Sequence, residues 1–149
     1  MIASQNLTIE NTMSRCFDFD FPVLRISNSK FKNCGGDGLD FSGSLFFLNN
    51  IRVTHNTDKG ISVGENSRGY IKESKIQESD IGIASKDGSS VFVSESVIEK
   101  NRVGIAVYSK KPYFPESTIE FYKSVMFVGN RIKISTEGNQ LSAFNRSKK

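Results

Sequence analysis

The chain is poor in the residues that carry most metal and nucleophilic chemistry. It has two cysteines and a single histidine, His55, among 149 residues. One histidine with no second histidine or cysteine nearby offers no zinc-site spacing. A Ser-His-Asp hydrolase of the Gly-x-Ser-x-Gly type is excluded because that motif is missing. The segment Gly35-Gly36-Asp37-Gly38 lacks the lysine and the following helix of a phosphate-binding loop. We therefore interpret His55 as an ordinary turn residue.

Long apolar runs are also missing. No stretch approaches the roughly 20 residues that a membrane-spanning helix needs, so no membrane span is expected. The first six residues, Met1 to Asn6, show no basic region followed by an apolar one, so no signal peptide is expected in this segment. Hydrophobic residues make up 37% of the chain and charged residues 24%, which indicates a folded chain rather than a disordered one.

The net charge of +4 comes from one end of the chain. Residues 131–149 carry five basic residues and one acidic residue, which accounts for the whole net charge. The other 130 residues hold 15 basic and 15 acidic groups. Because this body shows no basic stripe with interleaved aromatic residues, a nucleic-acid partner is not expected.

Glycine recurs every 22 residues, at Gly38, Gly60, Gly82 and Gly104, and an aliphatic residue follows each one. A period near 22 is too short for a helical pair and fits one coil of β-structure per repeat. Apolar and polar residues also alternate, as in Phe17-Asp18-Phe19-Asp20-Phe21, which is typical of strands. The sequence therefore predicts an all-β parallel β-helix of about six coils over residues 1–134. Residues 135–149 are expected to form a basic C-terminal tail or a partial cap.

Four columns of apolar residues recur once per coil and are expected to stack in the core at the strand spacing of about 4.8 Å. They are Phe17, Leu39, Ile61, Ile83 and Ile105; Phe19, Phe41, Val63, Ser85 and Val107; Ile9, Phe31, Val53, Ile76, Ile98 and Met126; and Ile26, Leu48, Ile71, Val93 and Phe121. Two polar columns, Asn11 with Asn33 and Asn56 with Ser79 and Asn101, fall at corners. Their side chains are expected to hydrogen-bond along the axis.

The same register bears on the two cysteines. Cys34 falls over Thr12, which is four positions from Cys16. At about 3.3 Å per residue this offset exceeds the Cα separation of about 7 Å that a disulfide tolerates. Both cysteines are therefore predicted to be free, mostly buried thiols.

The phrase I/V-x-x-S-x-I/V-x-x-N/S-x-x-G-I occurs from Ile71 to Ile83 and from Val93 to Ile105. It resembles the repeats of the right-handed parallel β-helix superfamily, the architecture of pectate lyases and many surface proteins, over residues 2–134. The resemblance implies a right-handed, single-stranded solenoid and favours an extracellular or cell-surface location. It does not choose an activity, because the fold hosts lyases, hydrolases, adhesins and inert stalks. Since only about six coils fit, the chain is expected to continue in a longer protein or to associate end to end.

Polar and charged residues gather on the outward positions of the strand after each glycine. A flat, long sheet face suits an extended polysaccharide, and eliminative cleavage of a uronate needs a base and a cation. In that hypothesis Lys86 is the base, Tyr108 is the proton donor, and Glu65 with Asp87 holds an optional calcium ion. The residues expected to contact the substrate are Asp40, Ser62, Lys110, Lys111 and Tyr113. A glycoside hydrolase using Glu65 and Asp87 as a retaining pair is the other enzymatic alternative.

A module without catalysis is slightly favoured over an enzyme. The chain is short, and Lys110 to Pro115 is the only insertion long enough to wall a cleft. The protein is therefore interpreted as a carbohydrate-recognition or structural module of a larger surface or secreted protein, with no required cofactor. In that interpretation Glu65 and Asp87 are neutralised by Lys86 or Lys110, and Asp37 forms a cross-strand pair with Lys59.

Overall fold

The computed structural model describes residues 1–136, which form fourteen strands and no helix. The strands are β1 (Ile2–Gln5), β2 (Thr8–Thr12), β3 (Phe17–Asp20), β4 (Val23–Cys34), β5 (Leu39–Ser42), β6 (Leu45–Thr54), β7 (Lys59–Gly64), β8 (Arg68–Lys72), β9 (Lys75–Gln77), β10 (Ile81–Lys86), β11 (Ser90–Glu99), β12 (Val103–Tyr108), β13 (Thr118–Val128) and β14 (Ile132–Thr136). No helix in these residues could cross a membrane.

The strands form two parallel sheets that run the length of a solenoid. The six-stranded sheet has the order β14-β12-β10-β7-β5-β3. The eight-stranded sheet has the order β1-β4-β6-β8-β11-β13, with β2 and β9 beside this path. Each strand therefore pairs with its counterpart one coil away, which confirms the predicted all-β parallel β-helix. The solenoid has about five turns, one fewer than the sequence suggested.

The core lies between the two sheets and consists of the predicted columns. Leu39 pairs in register with Ile61, Ile61 with Ile83 and Ile83 with Ile105, and all four side chains are buried. The column of Ile26, Leu48, Ile71, Val93 and Phe121 is likewise confirmed. Stacking one aliphatic or aromatic side chain per coil fills this narrow core without a second layer.

One predicted core residue is wrong. Ile98 pairs with Phe127, whereas Met126 pairs with Val97 and is 54% exposed. The register of β11 against β13 shifts between Ser94 and Ser96, where β13 carries one extra residue. That extra residue moves every later side chain of β13 by one position, which turns Met126 outward and Phe127 inward.

The predicted polar ladders connect successive coils. Asn33 Nδ2 donates to Asn11 Oδ1 at 2.7 Å, and the backbone N–H of Ser79 donates to Asn101 Oδ1 at 3.0 Å. The repeated glycines mark a corner where backbones come close. A Cβ on Gly82 would lie 2.6 Å from the carbonyl oxygen of Gly104, so the corner has no room for a side chain.

The cysteine prediction is wrong, because Cys16 and Cys34 form a disulfide with a Cα separation of 5.4 Å. Cys34 does pair with Thr12, as expected. The strand ends at Thr12, however, and the chain bends through Met13 and Ser14. The distance from Thr12 to Cys16 is therefore much shorter than four extended residues, and the two thiols meet.

The last strand reaches Thr136, two residues past the predicted end of the solenoid at residue 134. The remainder of the predicted tail, residues 137–149, lies outside the described residues.

Candidate functional site

The outer face of the six-stranded sheet carries a groove with a floor of small side chains. Asp40, Ser62, Ala84 and Ala106 stand in register on four successive strands. They lie on the outside of the solenoid, yet none is more than 7% exposed. Longer side chains on both sides must therefore rise above this row and cover it.

One wall of the groove comes from the residue that precedes each repeated glycine. Lys59 pairs with Ile81, and Ile81 pairs with Val103. The other wall is Lys86 and Tyr108, which are also register neighbours. The side chain of Lys86 extends over Gly64, where an added Cβ would lie 2.9 Å from Lys86 Cε. The absence of a side chain at Gly64 is thus what lets Lys86 lie down along the groove.

The first coils give the groove a charged end. Arg15 Nε forms a salt bridge with Asp40 Oδ2 at 2.9 Å and lies 3.8 Å from Asp37 Oδ2. Lys59 Nζ lies 3.5 Å from Asp37 Oδ1, which also accepts the backbone N–H of Lys59 at 3.0 Å. The predicted Asp37–Lys59 pair is therefore confirmed. Burial alone would lower the pKa of Lys59, but its hydrogen bond to Asp58 and the charge of Asp37 raise it above the ordinary value.

Ser62 contributes an unsatisfied hydroxyl to the floor. The residue is 0% exposed, and its Oγ has no hydrogen-bond partner in the described structure. A buried polar atom without a partner costs about 1–3 kcal/mol. A ligand hydroxyl or carboxylate would supply the missing bond once the side chains that cover the floor move aside.

The later coils give the groove a mainly apolar end. A depression of about 270 Å³ there is lined by the apolar residues Ile81, Val103, Ala106, Val107 and Ile132, by Tyr108 and Ser135, and by Arg102. Burial lowers the pKa of Lys86. The nearby charge of Asp40 raises this pKa, whereas the charges of Lys110 and Lys59 lower it further. Burial also raises the pKa of the Tyr108 hydroxyl. Lys86 is thus easier to deprotonate than an ordinary lysine, whereas Tyr108 keeps its proton.

The sequence matches the family model of right-handed β-helix regions over residues 2–142. The chain belongs to the right-handed β-helix family. Comparison of this β-helix with curated proteins and with solved structures gave no match. The family establishes the fold and leaves the activity to be argued from the groove.

Glu65 and Asp87, the predicted metal pair, hold the inserted loop of this β-helix in place. Asp87 Oδ1 accepts the backbone N–H groups of Lys110 at 2.7 Å and Lys111 at 2.9 Å. Glu65 Oε1 pairs with Lys111 Nζ. The lysine that neutralises Glu65 is thus Lys111, and not Lys86 or Lys110. Within residues 1–136, no group of three or more acidic, histidine or cysteine side chains is placed to hold a metal ion.

The predicted site residues divide between the groove and the loop. The structure brings Asp40, Ser62, Lys86 and Tyr108 together on one face. Lys110, Lys111 and Tyr113 lie on the loop that follows β12. Lys110 is near enough for its charge to act on Lys86. Tyr113 is 75% exposed and packs beside Phe114, with ring centroids 5.0 Å apart.

Sequence reasoning missed Arg15 and the apolar wall of Ile81 and Val103. The wall could have been found, because Ile81 and Val103 precede their glycines just as Asp37 and Lys59 do. Arg15 carries no such signal, since it belongs to the bend that the disulfide fixes.

An aromatic ladder on the outer face of the eight-stranded sheet was also missed. Phe47, Tyr70, Phe92 and Tyr122 stack on one another with centroid separations of 5.0, 4.9 and 6.0 Å. The Arg25 guanidinium lies 5.1 Å from the centroid of Phe47, over its ring. Because the rings face each other along the axis, their edges and not their faces point outward. The ladder therefore stabilises the sheet and offers no stacking platform for a sugar.

Proposed function

We propose that this β-helix is a carbohydrate-recognition module that binds an extended acidic polysaccharide along the groove of the six-stranded sheet. The observation that carries the proposal is the unsatisfied Ser62 hydroxyl on the groove floor. Nearly all buried polar atoms of native folds have a protein or water partner, so a ligand group that displaced water at Ser62 would have a hydrogen bond to make there.

The two ends of the groove suit the two surfaces of a sugar chain. Sugars present hydroxyl groups and apolar C–H faces. Ile81, Val103 and Tyr108 offer an apolar wall for the C–H faces. Asp40 and Ser62 offer oxygen atoms for hydroxyl groups, and Lys86 offers a cation for the carboxylate of a uronate.

The test measures binding of neutral and acidic polysaccharides by affinity electrophoresis. Lys86→Met keeps the aliphatic stem and removes the charge, so we expect at least a tenfold loss of affinity for acidic chains. Lys100→Met, at an exposed lysine outside the groove, is the matched control and should bind as the wild type does. No binding by the wild type would leave a structural module as the better interpretation. Equal binding by both variants would place the acidic chain on another surface of the protein.

Calcium is an independent arm of the same experiment. The Glu65 and Asp87 carboxylates are already engaged by Lys111 and the loop amides. We therefore expect the same affinity in calcium and in a chelator. Calcium-dependent binding that Glu65→Gln abolishes would instead support the predicted metal pair.

A uronate lyase is the second candidate, and the burial of Lys86 beside Tyr108 favours it. In an elimination, neutral Lys86 Nζ would take the C5 proton, and the released electron pair would form the C4–C5 double bond. The C4–O bond would break as Tyr108 protonates the departing oxygen. A hydrolase is less well supported, because its two carboxylates, Glu65 and Asp87, hold the loop.

The lyase hypothesis predicts a distinctive pH profile. The rate should rise with pH up to the pKa of Lys86, which lies below that of an ordinary lysine because the residue is buried. Ultraviolet absorbance of the unsaturated product measures this rate, and Lys86→Met should abolish it. Binding without any unsaturated product would assign the groove to recognition alone.

A further inference from the structure

A second charged surface lies on the other sheet of the solenoid. Outward side chains of β4, β6 and β9 line a depression of about 230 Å³ on the outer face of the eight-stranded sheet. Its lining includes the cations Lys30, Lys32, Arg52 and Lys75, the carboxylate Glu10 of β2, and the uncharged polar residues Thr8, Thr54 and Gln77. This depression shares no residue with the groove, so a ligand could bind here whether or not the groove binds a polysaccharide.

The cations of this depression stand opposite one another on neighbouring strands, where their like charges repel. Lys30 pairs in register with Arg52, and Arg52 pairs with Lys75. Like charges directly opposite each other on neighbouring strands destabilise a sheet. Lys75 is compensated by Glu99, whose Oε1 lies 2.8 Å from Lys75 Nζ.

The other three cations have no such compensation. Lys30, Lys32 and Arg52 are exposed and form no ion pair with any residue of the 1–136 segment. Glu10 stands beside Lys32 in the register of β2 and β4, but the two side chains form no salt bridge. Three cations without a salt bridge therefore meet at one depression, where the Glu10 carboxylate offsets part of their charge. The lining keeps a net positive charge, which an anion would stabilise.

The placement of the three cations indicates the kind of anion. Lys30 and Lys32 lie two residues apart on β4, about 7 Å along the strand. Arg52 stands one strand away from Lys30. The three donors thus mark the corners of a triangle and not a line. A sulfate ester, like a phosphate monoester, presents three terminal oxygens as a tripod, whereas a carboxylate presents two oxygens in one plane.

The remaining lining favours a sugar as the carrier of this anion. Thr54 and Gln77 offer hydroxyl and amide groups beside the cations. A single-stranded nucleic acid would need aromatic faces on which its bases stack. The ladder on the same sheet, from Phe47 to Tyr122, has its ring faces covered by neighbouring rings. We propose that the depression formed by Lys30, Lys32 and Arg52 binds the sulfate esters of a sulfated polysaccharide.

The test uses one polymer backbone with different charged groups. Binding to dextran sulfate, carboxymethyl dextran, phosphorylated dextran and neutral dextran is measured with the Lys86→Met chain, which lacks the cation proposed to hold acidic chains in the groove. The method is isothermal titration calorimetry at 0.15 M salt, a condition at which the Debye length is about 8 Å. We expect dextran sulfate to bind at least tenfold more tightly than the carboxymethyl polymer, and neutral dextran not to bind. The phosphorylated polymer tests whether a phosphate monoester, which has the same number of terminal oxygens, is preferred instead.

Two matched double variants locate the site. Lys30→Gln/Arg52→Gln removes one lysine and one arginine from the depression and should weaken dextran sulfate binding at least tenfold. Arg68→Gln/Lys100→Gln removes the same two residue types from exposed positions elsewhere and should change the affinity less than twofold. Because the first variant relieves a repulsion, its unliganded melting temperature should not fall, so lost binding is not lost folding.

Three outcomes would overturn the proposal. Equal losses in the two double variants would assign binding to overall charge. Equal affinity for carboxymethyl or phosphorylated dextran would remove the case for a sulfate ester. Tighter binding of a single-stranded oligonucleotide, abolished by Lys30→Gln/Arg52→Gln, would make the depression a nucleic-acid site.

Discussion

Reduction of the Cys16–Cys34 disulfide is expected to lower the free energy of unfolding by about 3 kcal/mol. The bond closes a loop with a sequence separation of 18 residues, and such a crosslink restricts the unfolded chain. In the folded chain it fixes the bend that carries Arg15 against the next coil. The loss is therefore expected even though the bond lies near one end of the solenoid.

The measurement is urea unfolding of the wild type with and without a reductant. Cys16→Ser/Cys34→Ser serves as the control, because it should show the lower stability in both conditions. Identical midpoints for the oxidised and reduced wild type would show that the bond does not constrain the chain. Binding of acidic glycans should be compared in the same samples, since Arg15 neutralises Asp40 in the groove.

Phe41→Ala is expected to destabilise the protein by about 3–5 kcal/mol. Phe41 is 0% exposed and lies between Phe46, at a centroid distance of 3.7 Å, and Phe19, at 5.3 Å. Its removal leaves a cavity that neighbouring coils cannot close, because their backbones are tied by parallel hydrogen bonds. Chemical denaturation measures the change.

Phe47→Ala is the matched control for this core substitution. Phe47 lies on the outer face, where it is half-buried and stacks on Tyr70 at 5.0 Å. Its loss removes an aromatic pair worth about 1 kcal/mol and leaves no internal cavity. Comparable destabilisation by Phe41→Ala and Phe47→Ala would contradict a core that lies between the two sheets.

Much of the solenoid could be predicted because its repeat fixes which residues stack. Once Gly60 and Gly82 are aligned, Ile61 and Ile83 must be neighbours, and the structure pairs them. The prediction for Met126 failed because the repeat is interrupted within β13. A single extra residue within β13 is invisible to a periodic pattern when both Met126 and Phe127 are apolar.

The candidate site was harder to predict because it depends on features outside the repeat. Alternation correctly placed Ser62 on the outer face but could not show that it is buried, since burial depends on the reach of neighbouring side chains. The bend before Cys16 and the loop that brings Lys111 to Glu65 are single departures from the pattern. No periodic argument predicts where a unique bend directs a side chain.

The stacked aromatic residues also give the molecule an optical reporter. The chain has four tyrosines and no tryptophan, so tyrosine fluorescence is not lost by energy transfer to an indole ring. Tyr70 and Tyr122 belong to the ladder, Tyr108 lines the groove, and Tyr113 stands on the exposed loop. Replacing Tyr113 with phenylalanine would leave one tyrosine in the groove and two in the ladder on the opposite sheet. A ligand bound in the groove would then change the emission of Tyr108, whereas unfolding of the coils would change the emission of Tyr70 and Tyr122.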